Sequence, residues 1–133
     1  MSFPSTLNVS PMLDELIQSI PKLWQPEVRL GLHEVLINAA RHGNRLDPHK
    51  HVMIYYSYSG QDDCYQWIIQ DQGQGFPCHR HRHRCCGRDI TDEDESGRGV
   101  YLIMQIFDHV EWNQCGNQVF LRKYLGSRPP LIQ

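Results

Sequence analysis

Residues 51–70, HVMIYYSYSGQDDCYQWIIQ, leave little choice of local structure. Two runs rich in β-branched and aromatic residues, 51–59 and 64–70, are joined only by the polar link GQDD. Such side chains fit a pleated surface, and so short a link brings the two runs side by side, which predicts an antiparallel hairpin. HVEWN and NQVFLRKYL flank the turn residues QCGN and predict a second hairpin. A sheet built this way has one face that must be covered, and the rest of the chain supplies helices to cover it.

SPMLDELIQSI (10–20) places Met12, Leu13, Leu16, Ile17 and Ile20 at helical spacing, with Ser10 as a cap, Pro11 in the first turn and Pro21 as a stop. The apolar face of this helix is a candidate interface. PEVRLGLHEVLINAARHGN (26–44) is the strongest helix: Pro26 and Glu27 mark its start, and Val28, Leu32, Val35 and Ala39 form its stripe. Gly43 and Asn44 offer it a left-handed exit. SGRGVYLIMQIFD (96–108) is a further long helix, striped by Val100, Ile103, Met104 and Phe107. Together these segments predict an α+β fold, a two-layer α/β sandwich whose mostly antiparallel sheet is covered on one face by helices.

At 133 residues the chain suits one domain, 1–133. A polar lid over about 72–96 and a frayed tail over about 126–133 carry little apolar content. Long connections of that kind are usually lids, binding loops or disordered. With 13 basic and 15 acidic residues, the balance gives no reason to expect nucleic-acid or anionic-membrane binding. No apolar run approaches the roughly 20 residues of a membrane helix, and the N-terminus lacks the pattern of a secretory signal. The cytoplasm is the expected compartment. Five cysteines, an odd number at irregular spacing, read as reduced thiols.

Three places carry chemistry. Glu34, Asn38 and His42 recur every four residues and form a polar line on a core-forming helix, either a solvated face or one wall of a polar cleft. Gly31, near the same face, lets something approach closely. Asp71 ends the strand 64–70 and shares the parity of Tyr65, Trp67 and Ile69, so its carboxylate faces inward and needs a partner. An adenine amino group or a structural backbone donor would serve. Gly73 and Gly75 in DQGQGF let the chain bend tightly against a flat ligand. Gly97 and Gly99, with Arg98 between them, open the helix 96–108, whose free N–H groups favour a bound phosphate; ordinary helix starts also use such glycines. In the segment PCHRHRHRCCGRD (77–89), a metal site, a mobile basic arm and a plain polar loop are all open readings.

In this order, EVLINAARHGN (34–44), DQGQGF (71–76) and SGRGVYLIMQIFDHVEW (96–112) resemble the N box and the two glycine boxes of the GHKL ATPase superfamily, the Bergerat fold. The NAxxHGN form with a short lid and GRGxxLI is similar to the small anti-sigma factor serine/threonine kinases. The resemblance covers about residues 10–125. It implies ATP and Mg²⁺ as ligands. It assigns Glu34 as general base or orienting carboxylate, Asn38 as the Mg²⁺ ligand and Asp71 as the partner of the adenine amino group. Gly73 and Gly75 shape the base pocket, and Gly97, Arg98 and Gly99 lie around the phosphates. It further implies a homodimer that phosphorylates a serine on a small anti-anti-sigma-like protein and sequesters a sigma factor. Residues 1–21 contain no Lys or Arg, where the family often uses one for partner contacts. Alternatives are an ATP-binding interaction module with little catalysis, and a histidine-kinase ATP domain separated from its dimerisation helices.

Overall fold

A computed structural model describes residues 1–73, 95–126 and 129–132, excepting the side chains of residues 95–98. Among these residues, five strands form one antiparallel sheet: β1 (Ser2–Pro4), β2 (His51–Ser59), β3 (Cys64–Gln70), β4 (His109–Trp112) and β5 (Gln118–Tyr124), in the order β1-β2-β3-β5-β4. Both predicted hairpins form. Ser59 pairs with Cys64 and Met53 with Gln70 across the first, and Trp112 pairs with Val119 across the second. Asp63 closes the first hairpin at φ 50° and Gly116 the second at φ 74°. β1 is only three residues long and pairs Phe3 with Val52.

Side-chain alternation sorts the sheet into two faces. Val52, Ile54, Tyr65, Trp67, Ile69, Val119 and Leu121 point to one face and are buried with the helices. Tyr55, Gln66, Ile68, Gln70, Phe120 and Arg122 point to the other, and none of them is buried. The result is the two-layer sandwich expected from the sequence.

The second layer is made by α1 (Ser10–Leu16), α2 (Gln25–Asn38) and α3 (Glu95–Ile106). In α1 the apolar stripe turns inward, with Leu13 at 1% exposure, so the face offered above as an interface is occupied by the protein's own core. The cap of α1 is Val9 rather than Ser10, which is already helical and makes no capping hydrogen bond. Gln25 caps the turn beyond α1, since its Nε2 donates to Ile20 O at 2.8 Å and to Ile17 O at 3.2 Å, which also accepts the Ile20 amide. α2 buries its whole expected stripe and adds Leu36. On α3 the buried residues among those described are Gly99, Ile103 and Ile106, followed by Phe107; Val100 and Met104 are only partly covered.

Gly31 sets how close α2 and α3 come. A Cβ there would lie 2.6 Å from Phe107 Cε2 and 3.0 Å from Ile106 Cγ2. The close approach read from the sequence is thus made by an aromatic core side chain. Eight residues earlier on the antiparallel α3, the same crossing carries Gly99 to the other end of the contact.

At the far end of α2 lies an ion pair that nothing in the sequence pattern announced. Glu27, read above as a helix-start residue, is fully buried and meets the Lys123 ammonium. Lys123 Nζ also donates to Ile106 O at 2.7 Å and sits 4.9 Å from the centre of the Trp24 ring. The amide of Leu131 donates to the second oxygen of Glu27, which ties the chain end to the start of α2.

Candidate functional site

α2 does not end where a standard helix would. It widens into a π turn over Ala39–Gly43, in which the Asn44 amide donates to Ala39 O at 2.9 Å and the Leu46 amide to Ala40 O at 2.8 Å. Wide turns of this kind gather at functional sites. The left-handed exit falls on Arg45 (φ 53°) and Leu46 (φ 58°), while Asn44 stays right-handed at φ −85°. This corrects the expectation that Gly43 and Asn44 would take it. Gly43 is small for another reason: a Cβ at this position would overlap the Asp71 carboxylate. A Cβ on Gly73 would overlap the carbonyl of Gly43. Two glycines from distant segments therefore let the end of α2 and the exit of β3 close around one carboxylate. Gly43→Ala is expected to displace that carboxylate and weaken any ligand hydrogen-bonded to it at least about tenfold, as read by calorimetry.

Asp71 is 7% exposed. Its Oδ1 accepts the Gly73 amide at 2.8 Å, the structural backbone donor weighed above. Oδ2 faces the Cα of Gly43. Burial pushes the carboxyl up to about 6; the Gly73 amide and the charge of Lys50 pull against that rise without cancelling it. A half-satisfied buried carboxylate at a strand end can accept a hydrogen bond from an exocyclic amine.

Glu34 and Asn38 lie on the same face of α2, one turn apart, both half-buried. Gly99 of α3 packs directly on them: a Cβ there would stand 2.7 Å from Glu34 Oε2 and 3.7 Å from Asn38 Nδ2. The second turn of α3 therefore packs on the carboxylate and amide of α2. His33 Nδ1 lies 3.9 Å from Glu34 Oε1 on the outer side. His42, the third member of the expected polar line, is exposed and lies in the π turn beyond α2 rather than on it.

The structure thus gathers the expected residues into two clusters on one helix: Asp71 with Gly73 and Gly43, and Glu34 with Asn38 and Gly99. Five to nine residues of α2 separate them, about 8–14 Å at the helical rise. Gly97 falls within α3, and nothing is described of the Arg98 side chain. Gly75, the lid beyond residue 73 and the His/Cys segment lie outside the described residues. Among the described residues no group of three or more His, Cys, Asp or Glu could hold a metal ion by itself. A Mg²⁺ at Asn38 would fit the usual pattern for that ion, one or two protein groups completed by phosphate oxygens and water. Sequence reasoning missed Gly43 as part of the carboxylate cradle and Lys50 as the nearby charge. The glycine was visible, but its contact with Asp71 spans 28 residues.

The model of the histidine kinase-like ATPase domain family matches residues 13–123, and the chain belongs to that family. That family is part of the GHKL superfamily. Domains of this kind bind ATP, generally with Mg²⁺. Among solved structures, the chain is similar to the Mycobacterial sensor histidine kinase MprB, with a TM-score of 0.53 and 20% identity over 75% of this chain and 71% of that one. It is also similar to the histidine kinase domain of the blue-light activated histidine kinase EL346 from Erythrobacter litoralis, with a TM-score of 0.52 and 18% identity over 77% of this chain and 44% of that one. At these identities the likeness is one of fold. No curated protein sequence matches the chain. Among the described residues no helix is long and apolar enough to cross a membrane.

Proposed function

We propose that this protein binds Mg-ATP between α2 and α3 and transfers the γ-phosphate to a serine or threonine of a small regulatory protein, in the manner of the anti-sigma factor kinases. The observation that carries the reading is the contact of Gly99 with Glu34 and Asn38 in the last turns of α2, while the buried Asp71 stands against Gly43 in the π turn that follows. That spacing suits an adenine at Asp71 and a triphosphate at Glu34. Asp71 accepts the adenine amino group. Gly73 lines the base, and the backbone of Gly97 and Gly99 lies by the phosphates, where the N-terminus of α3 favours negative charge; the family resemblance adds Gly75 to the first group and Arg98 to the second.

Asn38 would hold the metal, which would neutralise charge on the transferring phosphoryl group. Glu34 orients the acceptor hydroxyl and takes its proton. The serine oxygen bonds to the γ-phosphorus as the bond to the bridging oxygen breaks, and ADP leaves with the electron pair. NAARHGN and GRGVYLI support a serine kinase of the anti-sigma type, acting as a homodimer on an anti-anti-sigma-like partner and holding a sigma factor. The solved relatives named above give the competing reading, a histidine-kinase ATP domain.

The test has two stages. Calorimetry should find ATP binding that weakens when Mg²⁺ is removed. Turnover of radiolabelled ATP in the presence of a partner should fall about a hundredfold in Glu34→Gln with ATP affinity nearly unchanged. Binding without any turnover in the wild type would leave an interaction module. Acid-labile phosphohistidine on a partner would favour the histidine-kinase reading over an acid-stable phosphoserine.

A further inference from the structure

Three successive amides leave β3, and each has a different acceptor. The Asp71 N–H donates to Asn117 O at 2.9 Å, in the β4–β5 turn. The Gln72 N–H donates to Asn44 Oδ1 at 2.7 Å. The Gly73 N–H returns to the Asp71 carboxylate. The middle bond is unusual because its acceptor is a side chain from another element. Asn44 is 1% exposed. Its Nδ2 donates to Ser5 Oγ at 2.9 Å and to His51 O at 3.0 Å, so one amide joins the β1–α1 link, the start of β2 and the exit of β3. Gln72 answers from outside: its Oε1 accepts the His51 N–H at 2.6 Å.

We infer that Asn44 and Gln72 are positioning residues that fix the direction of the Asp71 carboxylate, and so set how strictly the site demands an amino group on the bound base. The inference rests on the proposed adenine site. Neither residue is placed to touch the base; they act through the backbone on both sides of Asp71. With the Gln72 amide held, residues 71–73 close a tight turn that leaves Asp71 Oδ2 against Gly43. With that amide released, the carboxylate gains rotational freedom and its hydrogen bond to a ligand loses direction. A buried amide using both donors and an acceptor has no other rotamer that satisfies the same partners.

The experiment compares ATP with purine riboside triphosphate, which lacks the 6-amino group, by calorimetry on the full chain at pH 7.5. The readout is the ratio of the two dissociation constants. The wild type is expected to prefer ATP about thirtyfold, the size of a hydrogen bond to a charged group. Asn44→Ala should reduce that ratio to about threefold, and Gln72→Ala, which removes only the outer bond, to about tenfold. Gln72 is exposed, so its variant decides the matter even where Asn44→Ala does not fold. A loss of affinity equal for both nucleotides, with the ratio kept within about twofold of wild type, would mark a merely structural role and overturn the inference. A wild type that binds both nucleotides equally would overturn the adenine assignment of Asp71 and this inference with it. A folded wild type that binds neither would overturn the proposed function itself.

Discussion

Asp71→Asn is expected to weaken ATP binding at least about a hundredfold and, at the same time, to make the ligand-free protein more stable. The two effects have one cause. The carboxylate is buried beside Gly43 with one oxygen on the Gly73 amide, and burial pushes it up to about 6. Between about pH 4 and 6 the folded protein holds a proton that the unfolded chain has already released, so stability falls as pH rises through that window. A carboxyl moved that far from its ordinary value near 4 corresponds to about 3 kcal/mol, an upper bound on what is lost by neutral pH. Asparagine keeps an oxygen for the Gly73 amide and carries no charge, so a gain of about 1–2 kcal/mol at pH 7 is expected in urea unfolding. The same change presents an NH₂ group to the adenine amine, donor against donor. In the wild type, ATP affinity should also fall as pH drops below about 6, and that component should be missing in Asp71→Asn. An affinity that Asp71→Asn leaves intact would remove the carboxylate from base recognition.

Lys123→Met is expected to destabilise the protein by about 3–5 kcal/mol. Lys123 and Glu27 are both fully buried, and the ammonium also holds the carbonyl of Ile106 at the end of α3. Removing it takes away the cation that balances a carboxylate in the core. The double variant Glu27→Gln/Lys123→Met removes both charges and should recover most of the loss, because the cost arises from the unbalanced charge rather than from the pair's own attraction. Denaturant unfolding of the two singles and the double measures this coupling. Additive losses would show that the residues act by packing alone. The pair also bears on the site indirectly. It clasps the start of α2 to the end of α3, opposite the end where Gly99 meets Glu34.

The contrast between these two residues shows what can be read along the chain. Asp71 is legible because a strand has a period of two: three inward residues before it fix the direction of the fourth. Glu34 and Asn38 are legible because a helix repeats at four, and their order with the glycine boxes does the rest. Local rules make Glu27 an ordinary first-turn acid, since they place acids there whether or not they are buried. Its burial depends on Lys123, 96 residues away. The same local logic makes Gly43 a helix exit, and its contact with Asp71 is again between distant segments.

The sequence by itself determined the periodic elements, the two hairpins, the inward face of each strand and the order of the three boxes, because each follows from the spacing of neighbours along the backbone. Only the tertiary structure decided that α2 widens after Asn38, that Arg45 and Leu46 take the left-handed exit, and that Gly31 admits Phe107. It also decided that Asn44 bridges Ser5, His51 and Gln72. Such choices depend on which buried polar group finds a partner and which pair of surfaces can close without overlap, and both are set by segments that meet only once the chain has folded.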